Sequence, residues 1–270
     1  AVAKMNEGKY KNFSMNEEER YELYIAAWLH DCGKVATPPH VVDKSTKLET
    51  IFDRIELVKT RMELLKRDAE IAFLKRQLNG QASDNFDDEF KETIRQIEEN
   101  MNFLENCNVG GEFMKQNLQE RVKSIGEQQV HLYGTDQNFL SNEEMANLNI
   151  PKGTLLPEER EIINDHIVIT IEMLEKLPYP KHLKNVPEFA GGHHEKMDGT
   201  GYPKGLKANQ MSTQAKIMAI ADIYEALTAA DRPYKDGKKL STAMRIMGFM
   251  KNDYHIDVDL FEIFVKSGVY

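Results

Sequence analysis

The sequence predicts an all-α protein, and two observations carry that prediction. Apolar residues recur three and four positions apart through most of the chain, the spacing that lines one face of a helix. No period-two run is long enough to build a sheet, and neither a Gly-rich phosphate loop after a strand nor a Gly-x-Ser-x-Gly elbow is present. A chain of 270 residues can bury a substantial core, as one large domain or as a domain carrying an insertion.

Residues 17 to 30 open the helical pattern. Glu17, Glu18 and Glu19 suit the positive end of a helix dipole, and Leu23, Ala26, Ala27 and His30 recur at three and four. The apolar run 24 to 29 leads straight into His30-Asp31-Cys32-Gly33-Lys34. A His-Asp pair at the end of a buried helix is costly unless a cation compensates it; the plain alternative is a helix end with a capping Asp. Pro38 and Pro39 are expected to stop regular structure. Ile55, Val58, Met62, Leu65, Ala69 and Ala72 then form the seam of a coiled coil or long helical hairpin that ends at Asn79-Gly80. Phe90, Ile94, Ile97, Met101 and Leu104 repeat the spacing up to Gly110-Gly111, and Leu118, Val122, Ile125 and Leu132 continue it in a third segment. These stripes carry almost no clustered His, Cys or Asp, so they read as packing.

Pro157 starts a helix whose face carries Ile162, Ile163, His166, Ile169, Thr170 and Met173. The helix from about 214 to 230 carries Ile217, Ala221, Tyr224, Ala226 and Leu227 and sets Asp222 among mainly apolar neighbours. Arg232-Pro233-Tyr234-Lys235 is expected to end it, with a further helix over 241 to 250 and a last one after His255-Ile256-Asp257.

Thirty-five Lys and Arg against 44 Asp and Glu leave a net charge of −9, which argues against coating DNA or RNA polymer. A small phosphate substrate remains compatible, because bound metal ions reverse the field within a pocket. Cys32 and Cys107 make no CxxC pair and suit a reducing, cytoplasmic compartment. No run approaches the length of a membrane span, so no membrane contact is expected from this segment. The first residues, Ala-Val-Ala-Lys, suggest a piece of something longer, sensor-linked or membrane-anchored.

Chemistry concentrates in the stretch 191 to 203, where His193-His194-Glu195 is preceded by two glycines and followed by two more and a proline. Such a stretch suits a rigid loop presenting imidazoles. With His30, Asp31, His166 and Asp222, the chain offers four imidazoles and two carboxylates, more than one tetrahedral zinc takes. The mixed set without thiolates suits two divalent first-row ions such as iron or manganese, one carboxylate bridging them, and two such metals sharing a hydroxide can attack a phosphoester in line. His40, His131 and His182 have no clustered partners and read as surface or structural.

His30-Asp31-Cys32-Gly33-Lys34 resembles the HDxGK signature of the HD superfamily of metal phosphohydrolases. His193-His194-Glu195, Asp198-Gly199, Gly201-Tyr202-Pro203 and Gly205-Leu206 resemble the HHExxDGxGYPxGL signature of its HD-GYP branch, with His166 before and Asp222 after at about the family's spacing. Ala226-Leu227-Thr228 and Arg232-Pro233-Tyr234-Lys235 match the element that follows. The resemblance covers residues 1 to 48 and 155 to 270, a discontinuous catalytic domain, and leaves 49 to 154 as a helical insertion. It implies an HD-type helical bundle that hydrolyses cyclic dinucleotides, chiefly cyclic di-GMP, to the linear form and often on to mononucleotide. By motif, Asp31 would bridge two metals, His30 and Asp222 serving one ion and His166, His193 and His194 the other. Lys34 would hold a substrate phosphate oxygen, with Arg232 and Lys235 as further phosphate contacts, while Gly201, Tyr202 and Pro203 would line the site and meet a signalling partner.

Two departures stand out. The family carries another His ligand upstream in a motif like HxxRVA, whereas no His precedes His30 here; Ala1-Val2-Ala3 resembles the tail of that motif, so the sequence is expected to begin just after it. The insertion is the second departure, and its seams suit a homodimer or a relay from an upstream sensor. The same chemistry with preference for 3',3'-cyclic GMP-AMP is an alternative, as is a degenerate nucleotide-binding signalling module.

Overall fold

The computed structural model describes residues 1–80, 85–111, 113–132, 134–229 and 237–270. Helix α1 (Glu17–Leu29) begins at a reciprocal cap, in which Asn16 Oδ1 accepts from the Glu19 amide at 2.9 Å and Glu19 Oε2 accepts from the Asn16 amide at 2.8 Å. A 3-10 turn over Cys32–Ala36 follows. The proline pair does not end regular structure as expected, because Pro39 starts α2 (Pro39–Val42). At a first helical position its missing N–H is not needed and its φ is already helical.

Helices α3 (Ile55–Leu78) and α4 (Phe86–Asn108) are the two long helices predicted. The third is shorter than its apolar spacing implies. Helix α5 (Gln116–Gly126) stops at a residue of poor helix propensity, and the chain turns into a hairpin of β1 (Gln129–Leu132) and β2 (Thr135–Asn138). Val130 alone is buried there, so Leu132 extends the three-four spacing only by coincidence. Helix α6 (Asn142–Leu148) follows, capped by Ser141. The helix expected after Pro157 is two helices, α7 (Pro157–Asn164) and α8 (His166–Glu175), broken at Asp165 so that His166 opens α8. Then come α9 (Val186–Gly191), α10 (Thr213–Thr228), α11 (Leu240–Asn252) and α12 (Val258–Ser267). Among the described residues, β1 and β2 make the only sheet, and the fold is all-α.

The chain divides into two compact units, residues 39–161 and residues 1–38 with 162–270. In the 39–161 unit, α3 packs along α4 and buries Val58, Met62 and Leu104; α5, β1 and α6 add Val122, Val130 and Leu148. Phe73 stacks on Phe86 and Phe90 with centroids at 4.6 and 4.5 Å. Lys59 meets Glu105 at 2.7 Å and Lys66 meets Glu98 at 3.1 Å, so α4 answers the charges along that flank of α3. Two buried lysines tie the ends of the unit together. Lys44 donates to Asn147 and Glu159 at 2.9 and 2.8 Å; Lys47, its pKa pushed down by burial, donates to the carbonyls of Leu148 and Ile150 at 2.9 and 2.8 Å.

In the other unit, α1, α8, α9 and α10 enclose Ala26, Leu174, Val186, Phe189 and Met218. A second cluster joins α10, α11 and α12 around Ile220, Met247, Ile256 and Leu260. Buried Asp257 caps α12 through the Leu260 amide at 3.1 Å and accepts from the Tyr10 hydroxyl at 2.9 Å, pinning the first residues to the core. The closest approach is at Gly33. Its amide donates to Thr170 Oγ1 at 2.9 Å, and a Cβ there would lie 2.0 Å from the His166 carbonyl oxygen. Glycine is therefore the residue that lets the turn after α1 lie against the first turns of α8.

Candidate metal centre

His30 ends α1, Asp31 enters the following turn, His166 opens α8, His193 and His194 follow α9, and Asp222 sits in α10. The packing of those four helices brings the six side chains together. They fall into two overlapping groups, Asp31 with His166, His193 and His194, and Asp31 with His30 and Asp222, the candidate ligand atoms of each group lying within 4.8 Å of one another. Asp31 belongs to both. Its Oδ1 lies 3.2 Å from His166 Nε2 and 4.0 Å from His193 Nε2, while its Oδ2 lies 3.3 Å from His30 Nε2. His30 Nε2 in turn lies 3.5 Å from Asp222 Oδ1.

Three imidazoles are oriented in the same way. The Nδ1–H of His30 donates to the Ala27 carbonyl at 2.7 Å, that of His166 to Ile163 at 2.5 Å, and that of His193 to Ala190 at 2.6 Å. Each acceptor is three residues earlier, a carbonyl near its own helix end or turn. With a proton held at Nδ1, each ring directs Nε2 into the cluster, where it offers a lone pair whenever the ring is neutral. His166 Nε2 and His194 Nε2 are only 3.2 Å apart.

The electrostatics hold the two carboxylates, His193 and His194 in ligand-like protonation states, whereas His30 is held protonated by the carboxylates until a cation displaces its Nε2 proton. Hydrogen bonding to Asp222 and then to Asp31 raises the His30 pKa to about 10. Burial works to raise Asp31, but the neighbouring His166, His30 and Lys34 side chains outweigh it and hold the carboxyl far below the usual range. Asp222 is likewise lowered, the His30 bond overcoming burial. Burial lowers His193, and burial with the neighbouring charges of His193 and His166 takes His194 to about 3. Asp31 Oδ1 and His193 Nε2 are buried without a hydrogen-bond partner. Acceptor atoms that face one another, unpartnered, among nitrogen and carboxylate donors fit a divalent cation.

Lys34 Nζ is 2.6 Å from Asp31 Oδ2, at the rim of the group, with its side chain 39 % exposed. The ring of Tyr202 stacks on that of His194 with centroids 4.8 Å apart and planes 15° from parallel. Gly201 packs so closely on the 195–196 backbone that a Cβ would lie 2.3 Å from the Lys196 nitrogen, and Pro203 continues that loop. Arg232 and Lys235 lie outside the described residues. Two residues with supporting roles, Glu195 and Thr170, are named in the sequence analysis but given no role there. Glu195, 1 % exposed, accepts from the amides of Lys204 and Leu206 at 2.8 Å each and so clamps the loop that carries Tyr202; its place directly after the histidine pair was the available signal. Thr170 anchors Gly33, and nothing in its sequence context marks it. Of the histidines set aside, His131 pairs with Asp136 at 2.8 Å on the exposed hairpin.

Residues 141–260 match a family model described as HD domain, a span that takes in His166, His193, His194 and Asp222 but not His30-Asp31. Among known proteins, the chain is 40% identical over 82 residues to a 3'3'-cGAMP-specific phosphodiesterase of Vibrio cholerae, covering 30% of this chain and 19% of that protein. It is 46% identical over 79 residues to a cyclic di-GMP phosphodiesterase of Pseudomonas aeruginosa, covering 29% of this chain and 18% of the relative. It is also 41% identical over 93 residues to a cyclic di-GMP phosphodiesterase of Thermotoga maritima, covering 34% and 25%. The chain thus spans a quarter or less of the length of these relatives.

Proposed function

We propose, from the premise that this chain is an HD-domain protein with the HD-GYP motif set, that it is a phosphodiesterase hydrolysing a cyclic dinucleotide second messenger. Cyclic di-GMP is the main reading, and 3',3'-cyclic GMP-AMP is the alternative that the likeness to a Vibrio cholerae relative favours. The observation that carries the proposal is that Asp31 belongs to both ligand groups.

In this reading His30 and Asp222 would hold one divalent ion, His166, His193 and His194 would hold a second, and Asp31 would serve both. Mixed imidazole and carboxylate donors suit iron or manganese. Such ions would acidify water and draw charge from phosphoryl oxygens. Lys34, 2.6 Å from Asp31 at the rim of the cluster, would neutralise negative charge that builds on the phosphoryl oxygens as the ester opens. The Nδ1–H bonds to Ala27, Ile163 and Ala190 keep three imidazoles in the tautomer that presents Nε2. Tyr202, stacked on His194, limits rotation of that ring and walls the site on one side. Arg232 and Lys235 are further phosphate contacts. The reading puts the enzyme in the cytoplasm and adds two partners, a second copy through the helical insertion 49–154 and a signalling protein at the loop Gly201, Tyr202 and Pro203.

The test is hydrolysis of both cyclic dinucleotides by the full-length protein, with metal content measured on the same sample. Release of the linear dinucleotide in proportion to bound iron or manganese supports the reading, and the faster substrate decides between the two. Tight binding of either nucleotide without turnover by the metal-loaded protein replaces it with the signalling-module reading.

A further inference from the structure

Glu22 is buried in α1, 4% exposed, and both of its oxygens are taken by one residue. Oε1 accepts from the Asn185 backbone amide at 2.6 Å and Oε2 from the Asn185 side-chain amide at 3.1 Å, and Asn185 is the residue from which α9 starts. No Lys or Arg pairs with this carboxylate among the described residues. A buried charge held by amides alone is an expensive way to fill space, but its bonds are shorter and about twice as strong as those between neutral groups. Helix α1 packs along α9, and the two segments meet again farther on, where the rings of His30 and His193 stand edge to face with centroids 4.8 Å apart. Eight positions separate Glu22 from His30, and eight separate Asn185 from His193. The two segments therefore run side by side in the same direction, with about 12 Å of helical rise between the clamp and the imidazoles.

We propose that Glu22 is a positioning residue for the metal centre: its clamp on Asn185 sets the register of α9 against α1, and with it the place of His193 and His194 against His30 and Asp31. The inference rests on the two-metal reading above. Asp31 belongs to both ligand groups, and it reaches them with different oxygens, Oδ2 lying 3.3 Å from His30 Nε2 and Oδ1 4.0 Å from His193 Nε2. His30 and Asp31 are carried by α1, whereas His193 and His194 are carried by the turn after α9. A slide of one helix along the other therefore opens one group while it compresses the other. Ligand sets of this kind work only when held to about 0.5 Å. Helix α9 is six residues long, so a displacement at Asn185 is delivered to the histidine pair with little chain in which to absorb it.

The experiment is calorimetric titration of the metal-stripped full protein with Mn²⁺, with the absorption spectrum of the Co²⁺-loaded protein as a second readout. Glu22→Ala should weaken binding by roughly tenfold or more, the scale on which outer partners of metal ligands act, and alter the Co²⁺ spectrum. Glu22→Asp keeps the charge but is one methylene too short for the clamp, so it should lose a comparable amount; it carries the test if the alanine variant does not fold. Glu22→Gln should restore wild-type binding, because its amide oxygen accepts from the Asn185 backbone while its NH₂ donates to Asn185 Oδ1 once that side chain turns over. Met247→Ala is the control, since it opens a cavity in the core of α10, α11 and α12 and should lower stability with no change in metal affinity. A wild-type protein that takes up no divalent ion overturns the two-metal reading and this inference with it. Wild-type affinity in Glu22→Ala or Glu22→Asp overturns the positioning role alone. So does a loss in Glu22→Gln equal to that in Glu22→Ala, which makes charge the cause, or an equal loss in Met247→Ala, which makes it general instability.

Discussion

His166 Nε2 stands 3.2 Å from Asp31 Oδ1 while its ring proton is held by the Ile163 carbonyl. The contact is therefore lone pair against lone pair when the imidazole is neutral, a pairing that a cation between them resolves. Lys34 balances the other oxygen of Asp31 from 2.6 Å.

Two substitutions separate these roles. Asp31→Ala should lose metal and turnover together, since it empties both ligand groups at once. Lys34→Ala should keep the metal and slow hydrolysis by roughly a hundredfold or more, the scale of one lost charge-stabilising donor. Metal analysis with steady-state kinetics reads both, and wild-type turnover by Asp31→Ala would sink the assignment.

Gly33→Ala should be destabilising by about 3 kcal/mol or more, because the new methyl meets backbone rather than a movable side chain. Metal affinity should fall with it, as the turn carrying Asp31 is pushed from α8. Gly248→Ala is the control: in α11 a Cβ at that position meets nothing within 4 Å, so the helix should gain roughly 0.5–1 kcal/mol. Denaturant midpoints compare the pair, and equal shifts in the two variants would remove the packing argument.

The metal-stripped protein should lose stability on mild acidification. His194 is lowered from 6.5 to about 3 and His193 is lowered too, so between those values the unfolded chain takes up protons that the folded site refuses, and stability falls as pH falls. His30, raised to about 10, contributes fully below 6.5 and is lost only as pH climbs toward 10, so it does not offset the acid loss. Chemical denaturation of metal-stripped protein at about pH 7 and about pH 5 tests the sign; a higher midpoint at the lower pH contradicts it.

Replacing residues 51 to 150 by a short flexible linker should leave the metal site formed. All six candidate ligands come from residues 1–38 and 162–270, and the 39–161 unit closes its own core. Retained metal stoichiometry is the expected measurement. A folded deletion protein unable to bind metal would make the excised helices part of the site.

What the sequence by itself determined is local chemistry and local periodicity. The donor types in His30-Asp31 and His193-His194, the order of the motifs, the acidic start of α1 and the two long helices of 39–161 are all legible, because each depends on residues close together along the chain. Tertiary structure decided everything that depends on distance between segments. That Asp31 belongs to both groups, that Gly33 must yield to the His166 carbonyl, and that Glu195 turns inward to hold two loop amides follow from the packing of α1, α8, α9 and α10, which no spacing within one helix encodes. The break at Asp165 and the hairpin after Gly126 belong here as well, since apolar spacing runs through both unaltered. In α3, by contrast, the face that apolar spacing marks, Ile55, Val58, Met62 and Leu65, is the face found in the core, because the partner that buries it, α4, follows next along the chain.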